Sequence, residues 1–431
     1  MILRTEKHLE EGIMKKVASF CNVDLDCVIQ SEDLSYIKEH VPSLQLKEPV
    51  KVSMIGEGDL GEDVEGDGYC NYVFRVSDAD GYSYIVKQST EHLKRRGRAL
   101  TPTRNRFEYE IMELRAKIVP QYVPALYLGD PENNVFIMED VSNLKLIRFQ
   151  MNKNHLFPEL AKQGAQYLAA THFYTSEFYL PTEEYRKLLA HFMNAELRVV
   201  MEDGIFLHIF GSDHYDAACG PEFEEYCKSI RFDPNLEFQR YKLRHLFMSK
   251  SETLIHGDFH TSNIFADDTH LKVIDMEYTF GAPFSYDLGF IIANIISQAC
   301  SAAFRPFDTE THRKNYVAYL ISLIEMLYTY YIQFFFEYWE KDAKLEYKIT
   351  NGYKESLALD ILRECFGFAA CVNFSRVCGD MDTADFDCIK DNELRTKAKF
   401  ASATIDKMLF EKWDSYNDIK EVIEDIIAVI C

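Results

Sequence analysis

Between residues 50 and 88 three apolar-rich runs are separated by an acidic, glycine-rich segment and a turn. The runs predict three strands: Val50 to Ile55, Tyr69 to Val76 and Tyr82 to Gln88. "DADG" marks a turn between the second and third. A helical period follows. Phe107, Ile111, Leu114 and Ile118 share one helical face, with Thr103 as an N-cap candidate. Two further strands are expected near Ala125 to Leu128 and Val135 to Met138. Beyond Asn143 the pattern is helical to the end, broken only near residues 254 to 280. Residues 9 to 42 read as one or two short helices. The expectation is an α+β chain: a small sheet-rich lobe over 1–140 with one helix, then a large, mainly helical lobe over 141–431.

Composition narrows the function. The formal charge of −22, without a basic tail or stripe, argues against nucleic acid, whose phosphates need neutralising. The eleven cysteines form no Cys-x-x-Cys pair. Cys365, Cys371 and Cys378 recur near heptad spacing, as one buried helix face would. The odd count and missing framework point to a reducing cytoplasm. The N-terminus lacks the apolar core of a signal peptide. "LGFIIANIISQACSAAF" and "YLISLIEMLYTYYIQFFFEYW" carry or adjoin polar and charged residues. They read as buried helices, so no membrane is expected.

Three places carry candidate chemistry. "GEGDLGEDVEGDGYCNYVF" sets five glycines between two strands, where backbone N–H groups can approach phosphate. No Gly-Lys-Ser/Thr follows, so it is not a Walker A loop. Its six carboxylates repel phosphate unless they turn away. Lys87 lies on an apolar strand and calls for a partner, with Glu108 and Glu110 competing. Two residues apart on a helix, the two acids cannot face the same way.

The third place is "TLIHGDFHTSNIF" followed by "LKVIDMEY", read as strand, loop, strand and a further strand ending in acids. Phosphorylating a hydroxyl needs a carboxylate to orient or take its proton, oxygen ligands for Mg²⁺, and neutralisation of phosphate charge. Asp258 suits the first role. Asn263, five residues on, and Asp275 with Glu277 suit the second if the strand end bends. This Asp-x4-Asn then Asp spacing matches the kinase pattern. His256 reads as a brace for the loop, and His260 as structural.

On these residues the chain resembles the aminoglycoside phosphotransferase and choline kinase group. "HGDFH", "VIDMEY", "GDGYCNYVFRV", "IVKQ" and "VPALYLGDPENNVFIMEDVSNLKLIR" are most similar, in order, to the 5-methylthioribose kinases, over roughly residues 45 to 390. The resemblance implies a two-lobed, protein-kinase-like fold with Mg–ATP in the cleft. It implies ATP contacts by Gly68, Asn71, Lys87 with Glu108, and a hinge at Glu139, Asp140 and Val141. Asp258 becomes the catalytic aspartate, also touching the sugar hydroxyl. Asp275 and Glu277 become the metal pair, joined by Asn263. The implied reaction phosphorylates 5-methylthioribose to its 1-phosphate in methionine salvage, by a cytoplasmic enzyme that pairs as a homodimer.

Four departures stand out. The glycine loop carries extra acids, roughly Leu60 to Glu65. "KRRGRALTPTRNR" replaces a tryptophan-bearing loop. Asn263 stands where these kinases usually carry serine. Ser375 and Arg376 align with two adjacent substrate arginines, and Asp382 replaces a histidine. Losing one arginine removes a charge and up to five donors. Arg376 is thus a substrate-binding candidate, and the acceptor is open between 5-methylthioribose and another sugar, an aminoglycoside or an amino alcohol. A nucleotide-binding protein without turnover is the alternative from another class.

Overall fold

The computed structural model describes residues 41, 44, 47, 49–55, 71–89, 100–132, 134–207, 217–379 and 383–430. Apart from Val41, the helices expected over 9 to 42 lie outside the described residues, as do the glycine-rich segment with Gly68 and Asp382. The chain divides into two compact units, Met1–Asn143 and Leu144–Cys431.

In the first unit β1 (Lys51–Met54), β2 (Tyr72–Ser77), β3 (Ser83–Gln88), β4 (Leu126–Asp130) and β5 (Val135–Glu139) form one antiparallel sheet, in the order β1-β2-β3-β5-β4. Alternation explains it: β2 buries every second side chain. Tyr72, Phe74, Val76, Val86, Val135 and Ile137 make the core, which Val41 and Leu44 join. Helix α1 (Arg104–Ile118) packs on β4 and β5. Gly129 admits it: a Cβ there would stand 2.8 Å from the Tyr109 ring. Thr103 occupies the N-cap position but does not cap. Its backbone is already helical (φ −61°, ψ −13°), and its Oγ1 lies 3.1 Å from Thr101 Oγ1 instead.

The second unit is mainly helical. Its helices include α2 (Ile147–Asn152), α3 (Leu160–Tyr174), α4 (Pro234–Ser249), α5 (Ser285–Phe304), α6 (Glu310–Asp342), α7 (Tyr353–Val377) and α8 (Asn392–Lys412). Helix α5 is the axle, packed against α6, α7 and α8, while α6 also packs on α3. Both α5 and α6 are long and apolar enough to cross a membrane. The apolar window of α5 is 89% buried inside the unit, and that of α6 44%, because α6 covers its neighbours with one face. Cys365, Cys371 and Cys378 are buried, and burial raises all three thiols above their ordinary pKa. Two small sheets carry the motif-bearing loops: β6 (Lys145–Leu146) with β8 (Ile264–Ala266) and β9 (Leu271–Val273), and β7 (Thr253–Leu254) with β10 (Gly281–Ala282). The α+β composition is as expected. The strands on either side of "HGDFHTSN" belong to different sheets, and the hairpin itself is β8–β9.

Candidate active site

In the first unit Lys87 is buried on β3, and its Nζ donates to Glu108 of α1 at 2.8 Å. Glu110 takes Arg106 at 2.6 Å, one turn back on the same helix. The choice between the two acids is therefore resolved for Glu108. A second bond fixes the strand to the helix: Asn105 Nδ2 donates to Lys87 O at 3.2 Å. Asn71 is buried, with Oδ1 accepting from Ser89 Oγ (2.9 Å) and Arg104 Nε (3.1 Å). At the end of β5, Glu139 Oε2 accepts from Ala125 N at 3.0 Å. The Asp140 carboxylate turns back to the sheet, to Arg75 Nε (2.7 Å) and Ser83 Oγ (2.6 Å). Burial would raise its pKa, but these two partners hold it low. What Glu139–Val141 can offer a ligand is therefore mostly backbone, with Val141 itself buried.

In the second unit the β8–β9 register sets Ile264 opposite Val273, so Asn263 and Ile274 face each other, and Ile274 N donates to Asn263 O at 3.0 Å. Asp275 follows at once with φ 63°. Aspartate tolerates this left-handed conformation better than most residues, and it supplies the bend the spacing required. Asp275 and Glu277 then hold carboxylate oxygens within 4.8 Å of one another. Asn263 Nδ2 donates to Asp258 O at 2.9 Å. That uses one N–H of the amide, turns its nitrogen toward Asp258 and leaves Oδ1 as the acceptor end.

The loop bearing Asp258 is tied down from several sides. Gly257 has φ 86°, and a Cβ there would lie 2.3 Å from Tyr278 O, so the loop runs directly against the backbone after Glu277. His256 Nε2 donates to Ile274 O (2.9 Å), and its Nδ1 accepts from Asp258 N (3.3 Å). The expected brace is there. His260 does more than expected: Nε2 stands 3.2 Å from Asp258 Oδ2. Burial would raise the Asp258 carboxyl, yet His260, then Arg376 and His256, hold it far below the usual carboxylate range.

Three supporting residues were not read from sequence. Asp287, fully buried at the start of α5, accepts from His256 N (2.5 Å) and Gly257 N (2.9 Å). His172 of α3 faces the same carboxylate at 3.2 Å. Asn194 Nδ2 donates to Glu277 O (2.8 Å) and Thr279 O (3.1 Å). A signal existed for the first: an acid in "FSYDLGFII" is buried charge, which calls for partners.

On α7, Ser375 is fully buried and its Oγ donates to Val372 O at 2.8 Å, inside the helix. Arg376, the next residue, is half-buried, with its charge felt at Asp258.

Residues 66–312 match the model of the phosphotransferase enzyme family. The methylthioribose kinase of Bacillus cereus (strain AH820) is 32% identical over 355 residues, 82% of this chain and 87% of that protein. The chain belongs to the phosphotransferase enzyme family. A methylthioribose kinase of Bacillus anthracis (strain A0248) matches with the same identity and coverage. Among solved structures, choline kinase from Cryptosporidium parvum Iowa II aligns with 91% of this chain and 97% of its own, at 11% identity and a TM-score of 0.42. As a family member the protein is an ATP-dependent phosphotransferase acting on a small molecule, and the resemblance read from "HGDFH" and "VIDMEY" holds. Phosphotransfer from ATP calls for a divalent cation. The donor set fits a hard one: an amide oxygen and two carboxylates, with neither sulfur nor imidazole among them.

Proposed function

We propose that this family member transfers the γ-phosphoryl group of ATP to the 1-hydroxyl of 5-methylthioribose, with Mg²⁺ as the cation. The observation that carries this reading is the geometry from Asp258 to Glu277, in a chain 32% identical to methylthioribose kinases over 82% of its length. Asp258 orients the acceptor hydroxyl and takes its proton as the new O–P bond forms and the bond from the γ-phosphorus to the ADP oxygen breaks, releasing ADP. Its low proton affinity in the resting protein suits an ionised, hydrogen-bond-accepting group. Asn263, Asp275 and Glu277 would hold Mg²⁺, which when bound neutralises phosphate charge. In the first unit Lys87, steadied by Glu108, offers its ammonium to the nucleotide phosphates. Gly68 and Asn71 flank the phosphates, and the backbone of Glu139, Asp140 and Val141 receives adenine. Arg376 binds the acceptor. The same reading makes the enzyme cytoplasmic and a homodimer, without nucleic-acid or membrane partners.

One observation favours a second acceptor within the same chemistry. Ser375 is turned into its helix, so one of two donor positions is closed. A coupled ADP-release assay with 5-methylthioribose, ribose, an aminoglycoside and choline tests both readings. Turnover should be highest with 5-methylthioribose and fall at least about a hundredfold in Asp258→Ala. Higher turnover with another acceptor would overturn the substrate, and an unchanged rate in Asp258→Ala would overturn the catalytic assignment.

A further inference from the structure

We propose that His260 is a positioning residue for phosphoryl transfer: its imidazole holds the Asp258 carboxylate so that the second oxygen faces the acceptor. This rests on the reading of Asp258 given above. The hydrogen bonds assign the ring's proton. Ser262 N donates to Nδ1 at 3.1 Å, so Nδ1 is the bare nitrogen. The proton therefore sits on Nε2, 3.2 Å from Asp258 Oδ2, where an ionised carboxylate can only accept. Asp258 Oδ1 has no hydrogen bond to protein among the described residues. One oxygen is held, and the other is available to a hydroxyl.

The two histidines of the motif divide the task. His256 fixes the backbone of Asp258, through Asp258 N and Ile274 O. His260 fixes its side chain. The ring is itself held: it is 9% exposed and lies 6.1 Å, centroid to centroid, from Phe290 of α5. An aspartate with a buried Oδ2 partner loses side-chain rotation before the acceptor arrives, so the reaction is spared that ordering.

Three substitutions separate this role from simple support of the loop. His260→Gln puts an amide N–H near the Nε2 position and keeps the bond to Asp258, while Ser262 N loses its acceptor. His260→Asn keeps an acceptor near Nδ1 for Ser262 N and loses the bond to Asp258. His260→Ala loses both. Steady-state ADP release with 5-methylthioribose should show kcat down about tenfold to a hundredfold in the Ala and Asn variants. KM for ATP and for the acceptor should stay within about threefold, since neither is bound by His260. The Gln variant should recover most of the rate. Gln as poor as Ala, or Asn as good as wild type, would overturn the proposal in favour of loop support alone. Asp258→Asn is the reference. If it keeps the wild-type rate, the reading of Asp258 fails and this one with it. If it is inactive while all three His260 variants are active, only the role of His260 fails. Nitrogen-15 NMR of the resting protein tests the geometry without turnover. A protonated Nε2 and a bare Nδ1 are expected for His260, and the opposite tautomer would overturn the assignment.

Discussion

Replacing Asp287 with asparagine tests what holds the loop that carries Asp258. Oδ2 accepts from His256 N at 2.5 Å and faces His172 Nε2 at 3.2 Å, and Oδ1 accepts from Gly257 N at 2.9 Å. In Asp287→Asn the amide oxygen best replaces Oδ2. Two bonds then become neutral instead of charge-assisted, at about 1 kcal/mol each. The amide nitrogen meets Gly257 N–H, donor against donor, at about 1–3 kcal/mol. The sum is about 3–5 kcal/mol. It falls on the loop, so local opening is the proper readout. Amide hydrogen exchange at His256 and Gly257 should accelerate by roughly a hundredfold to a few thousandfold, and kcat should fall at least about tenfold as Asp258 shifts. The pH sign follows from the carboxyl. Burial would raise its pKa, but His172 and the loop amides hold it low. Its stabilising contribution is complete above the unfolded value of about 3.9 and is lost as pH falls through the lower folded value. Wild-type protection should therefore fade in acid, and that fading should be missing from the variant. Unchanged exchange and unchanged kcat in Asp287→Asn would refute the account.

Gly257→Ala places a Cβ 2.3 Å from Tyr278 O and 2.8 Å from Tyr278 Cβ at φ 86°. A left-handed alanine alone costs about 1–2 kcal/mol, and the backbone must also part, so kcat should drop about a hundredfold; a wild-type rate would contradict the close approach. Asp406 on α8 is fully buried and its carboxyl is raised well above the ordinary value, chiefly by burial, although Asn373 Nδ2 donates to Oδ1 at 2.8 Å. Its contribution to stability is full below about pH 3.9 and is lost as pH rises. Asp406→Asn, which mimics the neutral acid, should gain denaturation midpoint over wild type at pH 8, with the gain vanishing near pH 4; equal midpoints at both would sink the argument. Lys87→Met breaks a buried ion pair and should destabilise by about 3–5 kcal/mol. Adding Glu108→Gln should recover part of that in a double-mutant cycle, and strict additivity would show that the pair is not coupled.

What the chain revealed in advance follows the range of the interactions involved. Strand β2 was legible because one face is buried and alternation is local, whereas β3 buries its last four residues and shows itself as an apolar run after a turn signal. Helix α1 begins at Arg104, three residues before its first apolar marker, because Arg104, Asn105 and Glu108 are its buried residues there and hydropathy does not register them. Lys87 could be seen to need a partner. Which acid it takes depends on the rotation of α1, which spacing alone left open. The Asp258-to-Asn263 loop was legible because its donor and acceptor lie five residues apart. Asp287, His172 and Asn194 act across 30 to 115 residues of sequence. Nothing in a local pattern ties them to the loop, although a buried acid on an apolar helix was a sign. Ser375 shows the converse: alignment marks the missing arginine, but only the fold shows its hydroxyl spent on Val372.

The tethers also explain why proton acceptance and metal binding should fall together when a tether is cut. Asn263 Nδ2 holds the carbonyl of Asp258, and His256 holds both Asp258 N and the carbonyl of Ile274, the residue before Asp275. Gly257 rests on the backbone of Tyr278, the residue after Glu277. Each tether therefore joins the segment bearing the proposed base to a segment bearing proposed metal ligands. Displacement of one drags the other, so the preorganisation that lowers the barrier is shared between them. A substitution at Asn263, His256 or Gly257, or at Asp287, which holds the last two, should raise the Mg²⁺ requirement and lower kcat together. His260 holds the Asp258 side chain alone, and its loss should lower kcat with the metal requirement nearly unchanged. Mg²⁺ titrations of ADP release on the two groups would show two patterns, and one common pattern would mean the loop moves as a single rigid piece.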